Sequence, residues 1–314
     1  MSNLQVAVIS DIHGNYHALT AVLDDIKQQK IQKIIVAGDS TGPTMQNQVF
    51  KILIEKKAIM IQGNGEKRIV RKNRDQISDK TWNQKQHTGN RWTYQDLKPE
   101  IQRYIYFLPD QRVLKFEGTS PIRVVHGSPH DTSFTQGILP EETSIDSKKL
   151  ARVFNIINIE DAVRDLKESV LICGHTHRPW SRSLDNALVF NPGSVGNPCN
   201  GDPCADYAVL SWNNDHWSVD HRAVNYDLGA VYNSFQESSF LEKGGAFART
   251  TLQCRLTGID VNLEFLLHIK ELRIDFSEDL MDIDQAYVTA CKSFEWSKYN
   301  IDNSACVDSI HYDL

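Results

Sequence analysis

The sequence predicts an α/β fold centred on a sheet, followed by a helical C-terminal extension. Two observations carry this. Short β-branched runs alternate with amphipathic helical stretches through the first 65 residues, and further short apolar runs recur up to about residue 222. Leu4 to Ile9 reads as a strand ending at Ser10-Asp11. His17 to Gln28 follows with Leu19, Val22, Leu23 and Ile26 on one helical face. Lys33 to Ala37 is a buried-strand pattern ending at Gly38-Asp39. Gln46 to Lys57 turns Val49, Ile52 and Leu53 inward, and Ala58 to Gln62 is a third strand ending at Gly63-Asn64. This rhythm predicts parallel βαβ units. Later strand candidates are Arg112 to Phe116, Ile122 to Val125, Ser169 to Cys173, Ala187 to Phe190, Ala205 to Trp212 and His216 to Arg222. The last two flank Asn213-Asn214-Asp215, a hairpin-like turn, so part of the sheet is antiparallel.

The chain has 314 residues, enough for about two domains or one large domain with an appendage. Its 40% hydrophobic and 24% charged residues are those of a globular chain, not a disordered one. A net charge of −6 does not favour stable binding to nucleic acid or to a membrane surface. The longest apolar runs fall far short of a membrane span, and the first residues lack a signal-peptide pattern. Cys173, Cys199, Cys204, Cys254, Cys291 and Cys306 form no C-x-x-C pair, so free thiols in a reducing compartment are the simplest reading. A soluble, cytoplasmic protein is expected.

Chemistry concentrates just after the strands. The five ends carry Asp11-Ile12-His13-Gly14-Asn15, Gly38-Asp39, Gly63-Asn64-Gly65-Glu66, His126-Gly127-Ser128 and Gly174-His175-Thr176-His177. Ligands in open α/β sheets bind beyond the carboxyl ends of strands, where loops converge. Imidazole and carboxylate together suit zinc, manganese and iron, and an asparagine carbonyl adds a neutral oxygen donor. Taken singly, an Asp-x-His after a strand is more often a turn residue, a Gly-Asp carries little information, and a lone histidine is more often hydrogen-bonded at a core edge. Five such pieces in order, each after a strand pattern, make chance assembly a poor explanation.

With these motifs in view, the sequence resembles the calcineurin-like metallophosphoesterases, in particular the bacterial and archaeal phosphodiesterase subgroup that includes diadenosine-tetraphosphatase-like proteins. The resemblance rests on SDIHGNYHAL (10–19), AGDSTG (37–42), QGNGE (62–66), VVHGSP (124–129), CGHTHRP (173–179) and NPGSVGNPCNGDPCADYAVL (191–210), and it ends near residue 227. It implies a β-sandwich flanked by helices in α/β/β/α layers over residues 1–230, leaving 231–314 as the extension. It implies two divalent ions, Mn, Fe or Zn. Asp11, His13 and His177 would hold the first, and Asn64, His126 and His175 the second. Asp39 would bridge them, and a hydroxide between the ions would attack phosphorus. Asp39, Asn64 and His126 are then the candidate catalytic residues. Asn15, Glu66, Arg68, His130 and Ser194 are candidate substrate contacts, although the Asn191–Gly196 loop reads equally well as a tight turn.

One position departs from the family pattern. Many members have a histidine after the metal-binding asparagine, able to protonate the leaving group; here it is Gly65. Losing a general acid costs about 10²–10⁴-fold for a basic leaving group and far less for a phosphate or phenolate. Phosphodiester or phosphoanhydride substrates, dinucleoside polyphosphates among them, are therefore expected over alkyl monoesters. Glu66, His87 and His130 are candidate substitutes. Residues 66–104 carry ten basic and five acidic residues, a cap that would attract a polyphosphate, with Trp82 or Trp92 either stacking on a base or packed against the domain. Residues 255–314 carry five basic and twelve acidic residues and would pack on the core or pair with a second copy. A metal-binding interaction scaffold on the same fold and a protein phosphatase are the alternative functions.

Overall fold

The computed structural model describes residues 4–131, 136–140, 151, 153, 155–274 and 282–302. The chain begins β1 (Leu4–Ile9), α1 (Tyr16–Gln28), β2 (Lys33–Val36), α2 (Gln46–Glu55) and β3 (Ile59–Met60). Next come α3 (Asn64–Asn73), α4 (Asp79–Trp82), a 3-10 turn at Lys85–His87, α5 (Thr88–Asp96) and α6 (Pro99–Tyr106). Then follow β4 (Arg112–Leu114), β5 (Ile122–Val124), β6 (Gln136–Ile138), β7 (Asn155–Ile157), α7 (Ile159–Val163) and β8 (Val170–Ile172). The last strands are β9 (Pro179–Ser183), β10 (Leu188–Pro192), β11 (Ala205–Asn213) and β12 (His216–Val224). The rest of the described chain is helical: α8 (Leu228–Glu237), α9 (Phe240–Lys243), α10 (Ala246–Thr257), α11 (Val261–Ile274), α12 (Ile283–Ser293) and a 3-10 turn at Trp296–Tyr299.

Two five-stranded sheets stack face to face, in the orders β12-β11-β1-β2-β3 and β4-β5-β8-β10-β9. The alternation in β1 explains the layering. Val6 and Val8 point between the sheets, among Ile35 and Leu210 of their own sheet and Ile122, Val124, Ile172 and Phe190 of the other. Ala7 and Ile9 point the other way, onto Leu19, Val22 and Ile26 of α1 and Val49, Phe50 and Leu53 of α2. On the far face of the second sheet, Leu171 and Val189 meet Ile159 and Ala162 of α7. Both sheets are thus buried on both faces, which gives the α/β/β/α order.

The predicted βαβ units form: β1 pairs β2 in parallel with Val8 opposite Ile35, and β2 pairs β3 in parallel. The predicted hairpin also forms, with Asn213 opposite His216, and Asn214 and Asp215 at φ 47° and 62°, the left-handed pair a tight two-residue turn requires. The third strand is shorter than its apolar run, two residues against five. β6, β7 and β9 are not among the expected strands; none has a long β-branched run, and each exists through its pairing partner. Among the described residues Cys173, Cys199, Cys204 and Cys254 are free thiols; Cys306 lies outside the described residues.

Candidate metal centre

Every candidate ligand sits where a strand ends and the chain turns toward one point. Asp11, His13, Asp39, His175 and His177 all adopt left-handed backbone, at φ 52°, 48°, 50°, 70° and 59°. Each such residue costs of order 1–3 kcal/mol, and clusters of them persist where surrounding contacts over-determine them. Here the contacts are explicit. His13 N donates to Asp39 O (2.9 Å) and Asp11 N to Gly38 O (3.1 Å), so the first two strand-end loops hold each other. Gly63 must be glycine, because a Cβ there would overlap the Asp39 carboxylate.

The side chains converge. Asp11 Oδ2 accepts from Ser10 Oγ (2.7 Å) and from the His175 backbone N–H (3.0 Å). Its other oxygen, Oδ1, is buried and accepts no hydrogen bond. Around Oδ1 stand Nε2 of His177 at 3.3 Å, of His13 at 3.7 Å and of His126 at 3.9 Å. Asp39 is split in the same way. Its Oδ1 accepts from Gly65 N (2.7 Å), while Oδ2 lies 3.7 Å from His13 Nε2 and 3.6 Å from His126 Nε2. Asn64 Oδ1 lies 3.1 Å from His126 Nε2 and 2.8 Å from His175 Nδ1. All seven candidate ligands therefore meet in one place, with a single oxygen of Asp39, not both, between the two histidine groups.

The donor set fits a cation. His126 Nδ1 lies 2.8 Å from Ala37 O and His177 Nδ1 lies 2.7 Å from Asn197 O, so each Nδ1 carries the hydrogen and each Nε2 turns a lone pair inward. His13 Nε2 and His177 Nε2 are only 3.0 Å apart. Lone pairs packed this closely around an orphaned carboxylate oxygen repel unless positive charge sits among them. Side-chain atoms of Asp11, His13 and His177, and of Asp11, Asp39 and His126, form two groups each within 4.8 Å. Protein charges show the same need. Burial alone would depress His126 and His177, but the aspartates outweigh it and hold both imidazoles above their ordinary 6.5. Burial would raise Asp11, yet His177 and His126 hold it well below 3.8. His175, pushed down to about 4 mainly by burial, is neutral.

Three expected substrate contacts face away from the cavities. Glu66 is 1% exposed and accepts from the backbone N–H groups of Asp39 (2.9 Å), Thr41 (2.7 Å) and Gly63 (2.8 Å). It braces two loops, with both carboxylate oxygens already engaged. Asn15 caps α1 through Ala18 N (3.1 Å) and donates to Gly196 O (3.1 Å). Ser194 donates to Asp11 O (2.7 Å), which docks the Asn191–Gly196 loop against the end of β1. His130 is exposed, with Nε2 beside Asp161 O at 3.2 Å. Arg68 does line a cavity of about 370 Å³ that opens on His13, Asp39 and Asn64, together with His87. Trp82 and Trp92 are packed: Trp82 against Tyr94, with ring centroids 5.5 Å apart, and Trp92 against Phe240 at 5.0 Å.

Several residues at this site escape the motifs. Arg255 of α10, fully buried, donates to the backbone oxygen of His13 and lies over the Phe235 ring, 5.1 Å from its centroid. Thr251, Asn262 and Leu266 form a wall common to the 370 Å³ cavity and a second one of about 220 Å³ against His175 and His177. No strand-end pattern marks them; they belong to the C-terminal extension. Asn197, which orients His177, lies inside the NPGSVGNPCN block and was legible there as part of a loop.

The profile of the calcineurin-like phosphoesterase superfamily domain matches residues 4–215. The chain belongs to that metal-dependent family and is a phosphoesterase by class. It is 25% identical over 250 residues to an uncharacterized protein of Methanocaldococcus jannaschii, covering 74% of this chain and 92% of the relative. The fold is similar to a metallophosphoesterase from Sphaerobacter thermophilus, at a TM-score of 0.59 and 21% identity, covering 80% of this chain and 99% of that one. It is also similar to a hypothetical protein from Pyrococcus horikoshii OT3, at a TM-score of 0.60 and 22% identity, covering 81% and 98%.

Proposed function

We propose that this chain hydrolyses phosphodiester or phosphoanhydride bonds, dinucleoside polyphosphates among them, with two divalent ions held by the seven converging side chains. The supporting observation is the orphaned Asp11 Oδ1, ringed by three imidazole nitrogens at 3.3–3.9 Å, with Asp39 Oδ2 and Asn64 Oδ1 extending the same cluster. Asp11, His13 and His177 would hold one ion, and Asn64, His126 and His175 the other, with Asp39 between. Bound there, divalent ions would neutralise charge developing on phosphoryl oxygens and acidify a water for attack at phosphorus.

The chain's own residues do the rest. Carbonyls of Ala37 and Asn197 fix the tautomers of His126 and His177. Gly65 N–H and Glu66 keep Asp39 in place. Position 65 contributes no acid, Glu66 is spent on backbone, and His87, pushed down to about 4 by burial and by Arg68 and Arg91, is a neutral hydrogen-bond donor at pH 7. A leaving group that needs no proton, a phosphate or a phenolate, suits this site. The ligand set accepts Mn, Fe or Zn.

The test is turnover of bis-p-nitrophenyl phosphate by protein stripped with chelator and reloaded with each metal, beside Asp39→Asn. Metal-restored turnover that falls about 10²–10³-fold in the variant is expected, on the scale of losing a main electrostatic element of such a site. No turnover with any metal would favour the scaffold reading.

A further inference from the structure

One face beside the candidate metal centre carries positive charge with no carboxylate at ion-pair distance among the described residues; the negative group acting on Arg68 is Asp39 of the ligand cluster, across the shared cavity. Asn64, Arg68 and Arg71 occupy positions i, i+4 and i+7 of α3, so they share one face of the helix. At 1.5 Å per residue, Arg68 and Arg71 stand about 6 and 10 Å along the axis from Asn64. Arg68 lines the 370 Å³ cavity with His13, Asp39 and Asn64, and it also lines a neighbouring cavity of about 260 Å³ with Arg71. The two cavities therefore follow the helix away from the ligand cluster.

Among the described residues neither arginine has a carboxylate partner. Among the described residues the Arg68 guanidinium donates from Nη1 to Asn90 Oδ1 (2.8 Å). Asn90 Nδ2 in turn faces His87 Nδ1 at 3.0 Å. Asn90 is thereby oriented with its oxygen on Arg68 and its N–H on His87, which makes His87 Nδ1 the acceptor and leaves Nε2–H as a donor. Burial and the adjacent cations Arg68 and Arg91 depress His87 to about 4, in keeping with that neutral tautomer. The other basic residues of α3 differ: Lys67 is paired with Asp110 (2.6 Å) and Lys72 with Asp79 (3.1 Å). Arg68 and His87 are half-buried and Arg71 is exposed, so the row runs from the site out to solvent. Cationic donors on adjacent turns, with no ion pair among the described residues, are complementary to an extended anion.

We propose that the α3 face bearing Arg68 and Arg71, with His87 beside it, is a track for the further phosphoryl groups of a linear polyphosphate substrate whose reacting phosphorus sits at the metal centre. This deepens the phosphohydrolase reading and rests on it for which phosphorus reacts; the track itself is a property of α3. The substrate class is then a phosphoanhydride chain, such as a nucleoside or dinucleoside polyphosphate, in preference to a diester with two uncharged arms.

Two measurements test it. The first is calorimetric binding of inorganic tripolyphosphate to chelator-treated protein. Arg68→Gln should weaken it roughly 10- to 100-fold, the scale of a lost charge-assisted hydrogen bond, Arg71→Gln should weaken it further in combination, and Lys72→Gln should leave it unchanged. The second is the ratio of kcat/KM for diadenosine tetraphosphate to that for bis-p-nitrophenyl phosphate, which should fall by a similar factor in Arg68→Gln through KM. Unchanged tripolyphosphate affinity together with an unchanged ratio overturns the track. A wild-type protein that binds tripolyphosphate but hydrolyses neither substrate overturns the phosphohydrolase reading and leaves the track standing.

Discussion

Glu66 shows how a residue's chemistry depends on what surrounds it. Its carboxylate is buried, and burial together with the adjacent Asp39 pushes it above its ordinary 4.5, against the pull of the backbone N–H groups it accepts from. A glutamine can accept with one oxygen only and turns an amide N–H toward one of the three donors. Glu66→Gln should therefore cost roughly 1–3 kcal/mol of stability, read from urea unfolding, because a buried donor is left without an acceptor. Gly65 is the second such residue. A Cβ there would collide with the Thr41 hydroxyl. Gly65→His alone should lower the melting temperature, by an overpacking cost of about 1–3 kcal/mol. Adding Thr41→Gly should recover much of it and raise the turnover of alkyl monoesters relative to aryl diesters, measured on the same preparations.

Among the elements, α1 is held to the sheet by a polar clamp as well as by its apolar face. Asp25 accepts from Tyr207 Oη (2.6 Å) of β11 and from Arg222 Nε (2.8 Å) of β12. The Arg222 hydrogen bond is the main cause of its depressed carboxyl pKa. A carboxyl depressed on folding contributes stability above its unfolded value, near 3.8, and loses it as pH falls through the folded value. Asp25→Asn should thus be less stable than the parent at neutral pH, with the gap closing in denaturation curves taken progressively below the ordinary carboxylate value of 3.8. The extension is tied down differently, by Arg255 on His13 O and by Trp92 Nε1 on Ser239 Oγ (2.9 Å), so the basic cap and the C-terminal helices meet over the site.

At the scale of the whole molecule, the candidate metal centre joins the strand ends of both sheets: Asp11, Asp39 and Asn64 follow strands of one, and His126 and His175 follow strands of the other. Ions bound there would act as a clasp between the layers. Metal at about 100 times its dissociation constant should raise the melting temperature by roughly 5 °C over chelator-treated protein, and Asp39→Asn should lose most of that increment in a calorimetric scan. Among the described residues no helix is long and apolar enough to cross a membrane.

Much of this protein was legible along the chain. The βαβ start, the hairpin at 213–215 and the identity and order of the seven candidate ligands are local patterns: a period, a turn composition, a donor type after a strand. Tertiary structure alone decided the rest. It turned Glu66, Asn15 and Ser194 from candidate contacts into braces, set the left-handed backbone at five candidate ligand positions, and brought Arg255 to a partner 242 residues away. Donor chemistry belongs to a residue and can be read from its letter. Burial, tautomer and the wall of a cavity are made by residues distant in sequence, and only folding brings those together.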